Sequence, residues 1–127
     1  MGLKTFLSNN AETRELHSDL ELRSRYYKTT FKKVKEKIEE YCNDEGIVIV
    51  NTDVIHGEMF LQTSKHHMIC SIIQVNPLET AVDLKVQTYQ LIGRNVPKAK
   101  ILKMYDFLNK NLSLKTMYHM TLLQEYL

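Results

Sequence analysis

Two stretches with apolar residues at helical spacing flank a central run in which apolar and polar residues alternate, and this contrast predicts the architecture. Phe31, Val34, Ile38, Tyr41 and Cys42 form one stripe at a 3.6-residue period. Thr29 or Thr30 stands where a helix of that phase needs its N-terminal cap, and Gly46 where it needs a left-handed stop. A second helix opens near Pro97, a favoured first helical residue, and repeats Ile101, Met104, Tyr105 and Leu108. Between them, from Gly46 to Leu91, the pattern predicts strands at Ile47–Val50, Val54–Thr63, His67–Val75 and Ala81–Leu91. Asn51-Thr52-Asp53, Ser64-Lys65 and Asn76–Thr80 are read as the turns.

Pairing Thr63 with His66 sets Leu61 opposite Met68 and Met59 opposite Cys70, and alternation then sorts every strand residue by face. One face collects Met59, Leu61, Met68, Cys70, Ile72, Val82, Leu84 and Val86, on which both helical stripes should lie. The other carries Phe60, Ile69, Ile73 and Tyr89 among Glu58, Gln62, His67, Ser71, Asp83, Lys85 and Gln87. Four large apolar groups are too many for a plain solvent face, so a cover is expected: the chain's own termini, a second copy or a ligand. Upstream, Asn10 would cap a short helix from Ala11 to His17, and Leu20–Tyr27 alternates like a charged edge strand. Downstream, Leu114–Leu127 is too apolar to stand free in water. Residues 1–19 are thus a polar segment, 20–112 one domain, and 113–127 a tail that docks on that domain or on another subunit. Met117, Met120 and Leu123 join Phe60, Ile69, Ile73 and Tyr89 as the expected interface.

Composition agrees with one globular domain. The chain has 127 residues, of which 43% are hydrophobic and 25% charged. Its longest apolar runs are strand-sized, so no membrane span is expected, and Met1–Leu7 lacks the pattern of a secretory signal. Cys42 and Cys70 match no metal or redox spacing and fall at core positions, which favours free thiols in a cytoplasmic setting. Net charge is only +2, but it is unevenly spread. Basic residues dominate from Arg23 to Lys37 and from Arg94 to Lys115, whereas every charge from Glu39 to Glu58 is acidic. With the helices side by side, Lys32, Lys35, Lys98, Lys100 and Lys103 would form a surface able to bind phosphate backbones.

Candidate chemistry is sparse. His66 and His67 are neighbours on one strand and point to opposite faces, so they do not share a metal, and His56 is remote from both. Glu58, Asp83, Lys85 and Ser71 would meet on the open face, but cross-strand charge pairs are ordinary there. Gly57 suits a bulge and Gly93 a turn. No cofactor and no catalytic residue is assigned.

The stretches Arg25–Thr30, Asn51–Asp53, His56-Gly57-Glu58, Asp83–Val86 and Ile92-Gly93-Arg94 together resemble small bacterial cytosolic proteins without an assigned activity. The resemblance spans roughly residues 20–112. It implies a strand–helix–meander–helix layout and no functional residue. The expected fold is therefore α+β, a four- to five-stranded antiparallel meander with two main helices on one face. The expected function is non-enzymatic, that of an interaction module which associates with itself or with another protein. One alternative is an apolar ligand or lipid held in a cavity lined by Met59, Met68, Met104 and Tyr105. A lesser one is nucleic acid or an anionic surface on the basic helix faces.

Overall fold

The structure is a computed structural model that describes residues 9–89 and 96–117, the last three by their backbone only. Its elements in chain order are β1 (Asn10–Glu12), a 3-10 turn (Leu20–Leu22), β2 (Arg25–Tyr27), α1 (Phe31–Glu45) and β3 (Val48–Asp53). Then come β4 (Glu58–Gln62), β5 (His66–Asn76), β6 (Glu79–Thr88), α2 (Val96–Asn111) and β7 (Leu114–Met117). This is an α+β fold with one open, wholly antiparallel sheet in the order β3-β4-β5-β6-β2-β7, with β1 also on β6. The meander β3–β6 is its centre, and three short strands widen it beyond β6.

α1 forms where its stripe predicts. The Thr30 side chain accepts the Lys33 N–H at its start, and Gly46 at φ 69° ends it. Val34, Ile38, Tyr41 and Cys42 are buried, and Lys35 pairs with Glu39 at 2.9 Å. α2 buries Ile101, Met104, Tyr105 and Leu108 beside it, and Tyr41 meets Phe107 with ring centroids 5.1 Å apart. Both helices rest on the face made by Met59, Leu61, Met68, Cys70, Ile72, Val82, Leu84 and Val86, all buried. The β4–β5 register is the one set by the Ser64-Lys65 link, with Leu61 opposite Met68 and Met59 opposite Cys70.

Four local readings are corrected. Asn10–Glu12 is a strand instead of a helix start, because Asn10, Ala11 and Glu12 pair with Gln87, Val86 and Lys85. Helix propensity over so short a polar segment is too weak to outweigh a vacant strand edge. Leu20–Tyr27 is no edge strand. Asp19 caps Leu20–Leu22 through the Glu21 N–H, and β2 lies between β6 and β7, which buries Arg25 to 6% exposure. The turn after β3 falls at residues 54–57, since Asp53 accepts the His56 N–H at 3.0 Å and closes the loop itself. Gly57 belongs to that turn, at φ 69°, and the bulge lies at Val50. Gly93 lies outside the described residues.

Candidate functional site

The open face of the sheet is built rung by rung. Asn51, Phe60, Ile69, Lys85 and Glu12 stand side by side on β3, β4, β5, β6 and β1. The rung above holds Val48, Gln62, His67 and Gln87, and the one below Asp53, Glu58, Ser71 and Asp83. The bulge adds Val50 to this face without displacing Asn51. The result is a concavity of about 380 Å³ whose walls include Val50, Phe60, Gln62, His67 and Ile69. Tyr89 lies over the upper rung, its ring 5.7 Å from that of His67 and its hydroxyl on the Gln62 amide.

Of the expected interface residues, Phe60 and Ile69 are thus direct cross-strand partners and half-buried. Tyr89 is a rung away, and Ile73, 60% exposed, is separated from them by the polar Glu58–Ser71–Asp83 rung. Met117 lies on β7 beside Arg25, its side chain outside the description. Met120 and Leu123 lie outside the described residues. Val48 and Val50, 62% and 61% exposed on the outermost strand, complete the apolar surface. They were assigned no role from sequence, because only the edge position of β3 makes them accessible.

In the polar rung below, Asp83 is occupied by structural bonds. Asp83 Oδ1 accepts from the Thr13 and Ser24 hydroxyls, each at 2.6 Å. Thr13 also receives the Leu84 N–H and touches the Tyr105 hydroxyl, which donates to the Val82 carbonyl at 2.7 Å. The Arg25 guanidinium sits 4.3 Å above the Tyr105 ring and donates to the carbonyls of Glu21 and Arg23. A polar thread therefore passes from the open face, between β1 and β2, into the helix layer.

The basic helix faces are largely neutralised. Lys35 pairs with Glu39, Lys98 with Asp19 and Glu21 at 2.8 and 3.0 Å, and Lys103 with Glu45. Lys32 and Lys100 have no ion pair among the described residues. Lys100 turns instead toward the β4–β5 hairpin, where it borders two adjoining hollows with Ser64, Lys65 and His66. Met59, Met68, Met104 and Tyr105 are members of one packed cluster, none more than 3% exposed.

His66 is buried to 7% exposure, while His67 on the other face is half-exposed. Burial, with Lys100 and His67 nearby, holds the His66 imidazole below its ordinary value. Its unfolded form binds a proton at higher pH than its folded form, so it opposes folding increasingly as pH falls below about 6.5. The His66 contribution should therefore lower stability from pH 7 to 5, against the opposite contribution of His56, whose imidazole Asp53 holds above its ordinary value. His17 is shifted the same way as His66, by burial and Arg14. Subtracting the profile of His66→Gln, followed by urea denaturation, isolates the His66 share; identical slopes would refute it.

Cys42 and Cys70 are free and buried, and burial raises the Cys42 thiol to about 11. Among the described residues, no group of three His, Cys, Asp or Glu side chains is placed to hold a metal ion, and no helix is long and apolar enough to cross a membrane. The chain matches no family model and no curated protein.

Proposed function

We propose that the protein is a non-enzymatic interaction module that pairs with a second copy of itself through the β3 edge and the adjoining open face. The observation that carries this is the outer edge of β3, where Val48 and Val50 are about three-fifths exposed beside the Phe60–Ile69 strip. An edge strand presents unpaired N–H and C=O groups, and natural edges are commonly blunted by lysine or proline. From Val48 to Thr52 this strand has neither, nor any charge. Two copies can therefore approach antiparallel about a twofold axis with no like charges opposed in the middle of the pairing. Such pairing would extend the sheet and bring both Val48–Val50 surfaces out of water. The two buried free thiols support a cytoplasmic setting. The ion pairs at Lys35, Lys98 and Lys103 weigh against nucleic acid as the partner.

Sedimentation equilibrium or light scattering should give twice the 14.9 kDa of one chain. Val50→Lys should return the mass to that of a single chain while leaving thermal unfolding at high dilution unchanged. A wild-type mass of one chain at every concentration would overturn the proposal.

A further inference from the structure

We infer that the cleft between the β4–β5 hairpin and the first turns of α2 binds a phosphate-type oxyanion, either free phosphate or the phosphoryl end of a small ester. Two hollows of about 220 and 460 Å³ adjoin there and share Ser64, Lys65, His66 and Lys100. Among the described residues, the larger has no carboxylate in its lining and neither Lys65 nor Lys100 has an ion-pair partner. Its wall includes Val96, the first residue of α2, so the positive end of a sixteen-residue helix lies at its border.

The independent indication comes from His66, more than nine-tenths buried yet open to both hollows. Thr63 Oγ1 accepts two backbone N–H groups, from Lys65 at 3.2 Å and His66 at 3.1 Å, which fills its lone pairs. Its own proton has two acceptors in reach, His66 Nδ1 at 3.0 Å and, farther off, the His66 carbonyl at 3.4 Å. The nearer of the two, Nδ1, leaves the ring proton on Nε2, and no acceptor among the described residues takes it. Nε2 is not sealed within protein, since every fully buried side-chain nitrogen and oxygen in the described structure has a partner. The His66 ring, the two lysines and Ser64 thus border one hollow, and among the described residues no acceptor takes the Nε2 proton and no carboxylate pairs with either ammonium group. An oxyanion satisfies all four.

The smaller hollow adds Tyr41, Ile47 and Met68, an apolar floor suited to the body of an ester. Glu45 also borders it and binds Lys103, so the charge of the ligand belongs on the larger side. Burial, then Lys100 on α2 and His67 on β5, lower the His66 imidazole, and Lys65 in the hairpin, Lys103 on α2 and Glu45 and Tyr41 on α1 face it across the smaller hollow.

The test is NMR titration of the isotope-labelled full chain with inorganic phosphate at constant ionic strength. Saturable shifts are expected at the His66 ring and at the amides of residues 63–66, together with a rise in the His66 midpoint. Lys65→Ala and Lys100→Ala should each weaken binding about tenfold, the loss expected for one charge-assisted contact, whereas Lys32→Ala should not. Phenyl phosphate provides the second arm. Tighter binding with added shifts at Tyr41 and Met68 identifies an ester, and equal binding identifies free phosphate. Shifts that do not saturate, that sodium chloride reproduces, or that survive both lysine substitutions overturn the inference.

Discussion

Alanine at position 57 is expected to destabilise the protein by about 3 kcal/mol or more, the sum of a left-handed backbone cost of ~1–2 kcal/mol and a steric clash that cannot relax. Gly57 adopts φ 69°, and a Cβ built there would lie 2.3 Å from the Ile72 carbonyl oxygen. That oxygen belongs to the backbone of β5, and the Ile72 N–H is itself bonded to the Gly57 carbonyl at 2.7 Å. Moving either strand away breaks the ladder at the point where the β3–β4 hairpin joins the sheet. Gly46 is the internal control. It has the same φ but nothing within 4 Å of a built Cβ, so Gly46→Ala should cost only ~1 kcal/mol. Urea denaturation of the two variants measures the difference directly. Equal losses would show that the close approach at Gly57 contributes nothing. Because the hairpin presents β3, Gly57→Ala should also weaken self-association, and Gly46→Ala should not.

The hairpin also shows where sequence reasoning reached and where it stopped. The Ser64-Lys65 link was short enough to dictate register, and register with alternation sorted Met59, Leu61, Met68 and Cys70 to the core. Both helices were legible because a stripe, a cap at Thr30 and a stop at Gly46 pointed to one element. The 54–57 turn was not, because Val54 and Ile55 have strand-like side chains while Asp53 makes the turn with its own carboxylate. Arg25 was equally opaque. A guanidinium in an alternating strand looks solvent-bound, and only the tertiary fold puts it over Tyr105. The candidate sites divide in the same way. Phe60 and Ile69 could be placed on one face by counting, but the exposure of Val48 and Val50 depends on which strand ends the sheet. The cleft joins a hairpin at Lys65 to a helix at Lys100, a contact that no spacing along the chain encodes. The anion reading from sequence named Lys98, but Asp19 and Glu21 occupy it from a distant loop.

The second large effect is expected at Asp83, which joins strands that the chain order does not. β6 is flanked on one side by β1 at residues 85–87 and by β2 at residues 80–82, so Asp83 stands at the gap between them. Thr13 and Ser24, the residues that follow β1 and precede β2, both donate to its Oδ1. Asp83→Ala removes both acceptances at once, but the two losses are unequal. Thr13 can turn its proton toward the Tyr105 oxygen 3.1 Å away, whereas Ser24, only 1% exposed, has no other acceptor among the described residues and keeps a buried donor unsatisfied. With charge-assisted bonds worth ~1.5–3 kcal/mol and an orphaned buried hydroxyl costing ~1–3, a net loss of about 2–4 kcal/mol is expected. Asp83→Asn retains an acceptor oxygen and should lose about half of that, since its bonds are no longer charge-assisted. The decisive measurement is a double-mutant cycle by urea denaturation. Adding Ser24→Ala to Asp83→Ala should cost less than Ser24→Ala alone, because the orphaned hydroxyl disappears. Strict additivity, or an Asp83→Ala loss under about 0.5 kcal/mol, the range of an ordinary surface change, would show that the two strands are held by their backbone ladders alone.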